Sequence, residues 1–94
     1  MIFFLTFHAK PTKEHVEYVE TLGAYINCWI ESTDIESAKK IATRTIENLA
    51  WKIIDLEDAY EITEADYENK PAGKEYYKQA LIDKEVYKVH TYEE

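Results

Sequence analysis

The sequence predicts an α+β fold: a two-layer sandwich in which a mainly antiparallel four-stranded sheet carries two helices on one face. Three observations lead there. Four runs rich in β-branched and aromatic residues lie at 2–8, 24–31, 51–62 and 85–92. Two segments, 34–48 and 72–82, repeat apolar residues at helical spacing. The chain has 94 residues with only two glycines and two prolines, a length that suits one domain over 1–94 and a composition poor in element breakers. Strands and helices in that proportion pack as a sheet with helices laid on it.

The first run, IFFLTFH at 2–8, is apolar almost without interruption, the pattern of a central strand covered on both sides. Residues 9–22 are more polar and read two ways. Thr12 after Pro11 opens a short helix with Val16, Val19 and Leu22 inward. Alternatively, these residues are the arms of a long twisted hairpin, since Val16-Glu17-Tyr18-Val19 also tolerates a strand; the hairpin is the preferred reading. Gly23 ends either version. In 24–31, AYINCWIE, side chains alternate between two faces. Ala24, Ile26, Cys28 and Ile30 form an apolar face, and Tyr25, Asn27, Trp29 and Glu31 form an aromatic and polar one.

Thr33 followed by Glu36 is a capping-box spacing. Behind it, Ala38, Ile41, Ala42, Thr45, Ile46 and Leu49 recur on one side of a helix over 34–48, with Asn48 as its stop. In 51–62, Ile54, Leu56, Tyr60 and Ile62 share one parity while Trp51 and Ile53 take the other, so a bulge or strong twist is expected within the strand. Thr63 with Asp66 starts a short helical piece that Pro71 interrupts. A second piece over 72–82 sets Tyr76, Tyr77, Ala80 and Leu81 on one side, and Asp83-Lys84 turns into the last strand. Four strands and two helices put the architecture in the ferredoxin-like neighbourhood, although the β-α-β-β-α-β order of such proteins is not cleanly present. No family motif accompanies that comparison, so it implies nothing about activity.

The formal charge is −8. Nucleic-acid affinity rests on Lys and Arg neutralising phosphates, and anionic membranes select for the same residues, so neither partner is expected. No stretch approaches the ~20 apolar residues of a membrane span. Residues 2–7 lack the basic start and small-residue site of a signal peptide. The single cysteine, Cys28, rules out an internal disulfide, which fits a reducing compartment; the expectation is a cytoplasmic protein.

Candidate sites fall into three groups. The aromatic face of 24–31 supplies Tyr25, Asn27 and Trp29, joined by Trp51, as an expected contact centre, because rings with one apolar and one polar end suit interfaces. A homodimer would cover such a face. The acids Asp55, Glu57, Asp58, Glu61 and Glu64, continued by Asp66 and Glu68, form a run without a base between Lys52 and Lys70. That run is a solvated face or a docking surface for a basic protein partner; its spacing does not match an EF-hand loop. Finally, His8 ends one strand and His90 lies near the end of another. If these strands are neighbours, the rings and Asp55 could meet as a ligand or metal site, with the metal itself unspecified.

Cys28 shares the apolar parity, where a thiol is inert. There is no Gly-rich phosphate loop, no Ser or Thr paired with a His, and no motif that calls for a cofactor. The sequence therefore leans towards a non-enzymatic protein acting by protein–protein contact, as a homodimer or an accessory or inhibitor-like chain. The alternative is a small-molecule or metal-binding protein or enzyme of the dimeric ferredoxin-like kind, with His8, His90 or Asp55 in a pocket between sheet and helix.

Overall fold

A computed structural model describes residues 1–16 and 18–93. In chain order it contains β1 (Ile2–Pro11), β2 (Gly23–Glu31), α1 (Ile35–Asn48), β3 (Trp51–Ile62), a 3-10 turn at Glu64–Tyr67, α2 (Pro71–Asp83) and β4 (Glu85–Tyr92). The strands form one sheet in the order β3-β1-β2-β4 with every neighbouring pair antiparallel. The predicted antiparallel four-stranded α+β fold is thus present. Its connectivity is β-β-α-β-α-β, so it departs from the ferredoxin-like order at the first connection, where a hairpin stands in place of a helix.

The helices divide between the two faces of the sheet, which corrects the expectation that they share one. On the first face, Phe3, Leu5, Phe7 and Ala9 of β1 and Ala24, Ile26, Cys28 and Ile30 of β2 form a buried cluster with Ala38, Ala42 and Ile46 of α1. On the second, Ile2, Trp29 and Ile62 are buried with Ala80 of α2, and Phe4, Tyr67, Tyr76, Tyr77 and Val86 pack around them. Strand alternation makes these opposite faces. The physical reason lies in β1: its odd and even residues are both apolar from Ile2 to Leu5, so one layer of helix would leave half of them wet.

Helix α1 approaches the sheet closely because Ala38 and Ala42 put only methyl groups at the contact. Its cap is one residue later than the capping box predicts: the Asp34 carboxylate accepts from the Ser37 backbone N–H at 2.7 Å. The left-handed residue after the helix is Ala50, with φ 66°, and not Asn48. At the next helix boundary the Asp66 carboxylate accepts from the Thr63 N–H at 2.7 Å. Pro71 occupies the first turn of α2, where its missing N–H leaves no bond unmade.

The bulge expected in β3 is two bulges. The β1–β3 register shifts between Thr6 and Phe7 and again between His8 and Ala9. Glu57 and Ile54 are the extra residues, since Leu56 and Asp58 face consecutive residues of β1, as do Ile53 and Asp55. The bulges let Trp51, Ile53, Leu56 and Ala59 reach the α1 face while Tyr60 and Ile62 turn to the other. Ile54, grouped with Leu56 on sequence parity, is instead exposed.

Residues 12–22 connect β1 to β2 as a turn-rich segment, tied down by Thr12 N–H to Ala50 C=O at 2.9 Å and Leu22 N–H to Tyr92 C=O at 3.0 Å. β1 and β2 do form a hairpin, but their mutual pairing ends at Ala9 and Ala24, so the arms do not run on through residues 12–22 as the preferred reading expects. Of the Val16-Glu17-Tyr18-Val19 stretch, Glu17 lies outside the described residues. Val16, Val19 and Leu22 do not face inward.

Candidate functional site

The α2 face of the sheet is only half covered. Helix α2 and the 3-10 turn close over the end that carries Ile2, Phe4, Trp29, Ile62 and Val86. Beyond that the sheet is open, and the register lays its residues in rows. Asp55, His8, Tyr25 and His90 form one row across β3, β1, β2 and β4. Asp58, Thr6, Asn27 and Lys88 form the next. Alternation of the four strands is what brings these scattered positions together.

The sequence-predicted contact centre is split by this arrangement. Tyr25 lies on the open half and is exposed. Asn27 is half-buried, its side-chain oxygen accepting from the Thr6 hydroxyl at 3.0 Å. Trp29 is 4% exposed and belongs to the core under α2. Its indole N–H donates to the Tyr67 hydroxyl at 2.9 Å, and its ring meets Phe4 edge-on at 5.2 Å and Tyr76 at 4.6 Å between centroids. Trp51 is buried on the α1 face, with the His15 ring 4.3 Å away. Neither tryptophan is therefore available as an interface residue. Each is covered by the chain itself, Trp29 by α2 and Trp51 in part by the 12–22 segment.

His8 is the most closely held polar group on the open half. Its ring stacks on Tyr25 at 4.7 Å with 13° between planes. Its Nε2 shares a 2.6 Å hydrogen bond with the Tyr92 hydroxyl, the hydroxyl donating when the neutral ring carries its proton on Nδ1. Tyr92 reaches His8 because it lies across Gly23, where any Cβ would collide with the phenol ring. The stack covers one face of each ring, and the Tyr92 ring lies tilted 5.9 Å from His8 and 5.8 Å from Tyr25 between centroids.

Asp55 and His90 flank this group in the same row, as the sequence reading allowed, but the row lies on open sheet and not in a pocket between sheet and helix. Tyr25 separates His8 from His90. Two strand spacings of roughly 4.8 Å put the imidazoles too far apart to share one ion. Among the described residues no group of three His, Cys, Asp or Glu side chains is placed to hold a metal.

The acids occupy the edge strand. Asp55, Glu57, Asp58 and Glu61 are all exposed on β3, and none takes part in an ion pair among the described residues; Glu64 lies 3.9 Å from Lys74. Cys28 is buried, and burial together with the Glu85 charge pushes its thiol far above the usual range. Glu85 also accepts from the Thr45 and Tyr87 hydroxyls at 2.7 Å each, fastening α1 to β4.

Sequence reasoning missed the most exposed apolar side chains. Val16 and Val19 are 96% and 93% exposed, and Tyr18 and Leu22 are exposed beside them. Tyr18, Val19 and Leu22 line a shallow groove with Lys10, Pro11 and Tyr92. The signal was present: an eleven-residue connection (12–22) between paired strands is long for a hairpin. Its apolar residues suit a helix inward face equally well, which hid it. Comparison with protein-family models, with curated proteins and with solved structures finds no match to this chain.

Proposed function

We propose that the protein works by protein–protein contact, with the 12–22 connection as its apolar anchor and the acidic β3 edge selecting a basic partner. The observation that carries this reading is the near-complete exposure of Val16 and Val19 at the end of the sheet. Burying one such side chain is worth about 1.5–3 kcal/mol. A loop that holds four apolar residues in water gains that energy only on a partner. Four acids that form no ion pair among the described residues add, on the neighbouring edge, a long-range attraction for a basic surface and a repulsion against an acidic one. Cys28, reduced and buried, suits a cytoplasmic setting.

A photo-crosslinker placed at Val19 tests this in extract of the protein's own host, with one at exposed Lys78 on α2 as the comparison. The expected result is one discrete adduct to a basic protein from position 19 and none from 78. Adding Asp55→Asn, Glu57→Gln, Asp58→Asn and Glu61→Gln removes it. Equal labelling from both positions, or an adduct indifferent to the four neutralising changes, refutes the reading.

A further inference from the structure

The two edges of the sheet, β3 and β4, are built differently. An edge strand presents unpaired backbone groups that another strand can take up, and folded proteins block this with bulges, charge or proline. β3 is blocked twice over, by two register shifts and by four exposed acids. β4 is not. It follows β2 in unbroken register and contains no proline. Its only charged side chains are Lys88 and a Glu85 already engaged by Thr45 and Tyr87.

The hydrogen-bond phase of β4 can be read from one bond. Glu31 N–H donates to Lys84 C=O at 2.8 Å, which makes the adjacent pair Ile30–Glu85 one without mutual bonds. Alternation then turns the backbone groups of Val86, Lys88, His90 and Tyr92 towards β2, and those of Glu85, Tyr87, Val89 and Thr91 outwards. The same four outward-bonding residues have their side chains on the α1 face, where α1 packs over β3, β2 and β1. Val89 is left 38% exposed, and it lines an open groove with Leu49 and Thr91.

We propose that β4 pairs antiparallel with β4 of a second copy about a two-fold axis at Val89, making one continuous eight-stranded sheet. The occupant follows from self-complementarity and charge. Centring the pair on Lys88 would oppose two ammonium groups, which is unfavourable. Centring it on Tyr87 or His90 would use only residues 85–89 or 88–92. Centring it on Val89 uses 86–92, setting Val89 against Val89, Tyr87 against Thr91 and Val86 against Tyr92. The two α2 helices then sit at opposite ends of the shared strand pair, because each covers the Val86 end of its own β4. The two β3 edges lie farthest apart, seven strand spacings or roughly 34 Å, several times the Debye length of about 8 Å. For a chain of charge −8 this is the pairing that brings two copies together with the least repulsion. It is independent of the contact proposed for residues 12–22.

Sedimentation equilibrium from about 10 μM to about 1 mM spans the weak-dimer range. The expected mass rises from one chain to two. Over the same range, amide exchange at Tyr87, Val89 and Thr91 slows by about tenfold or more, while Val86, Lys88 and His90 are protected throughout. Val89→Lys, which opposes two charges at the axis, stays at one chain. Val89→Pro does the same with its own fold kept, because the N–H it removes points outward. A single-chain mass at every concentration, a Val89→Lys variant that associates like the parent, or concentration-dependent protection confined to another strand overturns the proposal.

Discussion

Trp29→Phe separates a core tryptophan from an interface one. The indole is buried, donates to Tyr67 and packs on Phe4 and Tyr76. Phenylalanine sets a six-membered ring where the pyrrole ring lay and removes the outer benzo portion together with the N–H. About 40 Å² of apolar surface is lost, worth about 1 kcal/mol at 25 cal/mol per Å². A void of up to about 40 Å³ adds about 1 kcal/mol at 24 cal/mol per Å³ if the site does not collapse. Losing the hydrogen bond adds about 0.5–1 kcal/mol, at the low end because Tyr67 is only half-buried and its hydroxyl can turn to water. The sum is about 2–3 kcal/mol. At 4–8 °C per kcal/mol for a domain of this size, Tm falls by roughly 10–20 °C. Trp29→Ala would cost about 3–5 kcal/mol, much of the 5–14 kcal/mol expected for 94 residues, so the phenylalanine variant is the cleaner test. Urea unfolding followed by circular dichroism gives the number, and sedimentation gives the association state. A loss under about 0.5 kcal/mol, or altered association with unchanged stability, refutes the assignment of Trp29 to the core.

Two further outcomes are expected. Burial raises the Tyr67, Tyr87 and Cys28 side chains above the usual phenol and thiol ranges, with Glu85 adding to the shift at Tyr87 and Cys28. Each stays protonated in the folded chain after its unfolded counterpart ionises. The stability they contribute is full below the unfolded values, roughly 8.5 for the thiol and 10 for the phenols, and is lost as pH rises past them towards the raised folded ones. Thermal melts should show Tm falling above about pH 9, with the earliest part of the fall absent in Cys28→Ala; a Tm that holds or rises to pH 11 contradicts this. Gly23→Ala places a methyl group where the Tyr92 ring lies, 2.7 Å from Cζ and 3.0 Å from the Ala9 carbonyl oxygen. Displacing the ring breaks the His8 bond at a cost of about 1 kcal/mol and its ring contacts at about 0.5–1, against about 0.5 regained from a stiffer unfolded chain. The expected net loss is about 1 kcal/mol, accompanied by moved His8 ring-proton shifts that Tyr92→Phe reproduces. Unmoved shifts would count against the His8–Tyr92 pairing.

Strand boundaries were legible wherever side-chain chemistry is local. The 51–62 and 85–92 strands appear with those limits, and the apolar parity of Ala24, Ile26, Cys28 and Ile30 becomes a buried row. The bulges in β3 announced themselves through broken parity. The double-sided apolar run of β1 already carried the signal for coverage on both faces. The helix assignment to one face failed because α2, with its Tyr76, Tyr77 and Ala80, shows that it packs on a sheet but not on which side.

What residue type and spacing determine here is which segments form the four strands and two helices, the buried parity of Ala24, Ile26, Cys28 and Ile30, and that the chain is acidic with a run of acids starting on one strand. What only the tertiary structure decided is the neighbourhood of each exposed residue. Trp29 and Tyr25 share a strand face in the sequence, yet one ends under α2 and the other beside His8 and Tyr92. His8, Asp55 and His90 fall in one row because β3 and β4 flank the β1–β2 hairpin. Period-2 alternation is a property of a single strand and can be read from it. Register, strand order and the course of a crossing helix arise from contacts between residues far apart in the chain, and no local pattern encodes them.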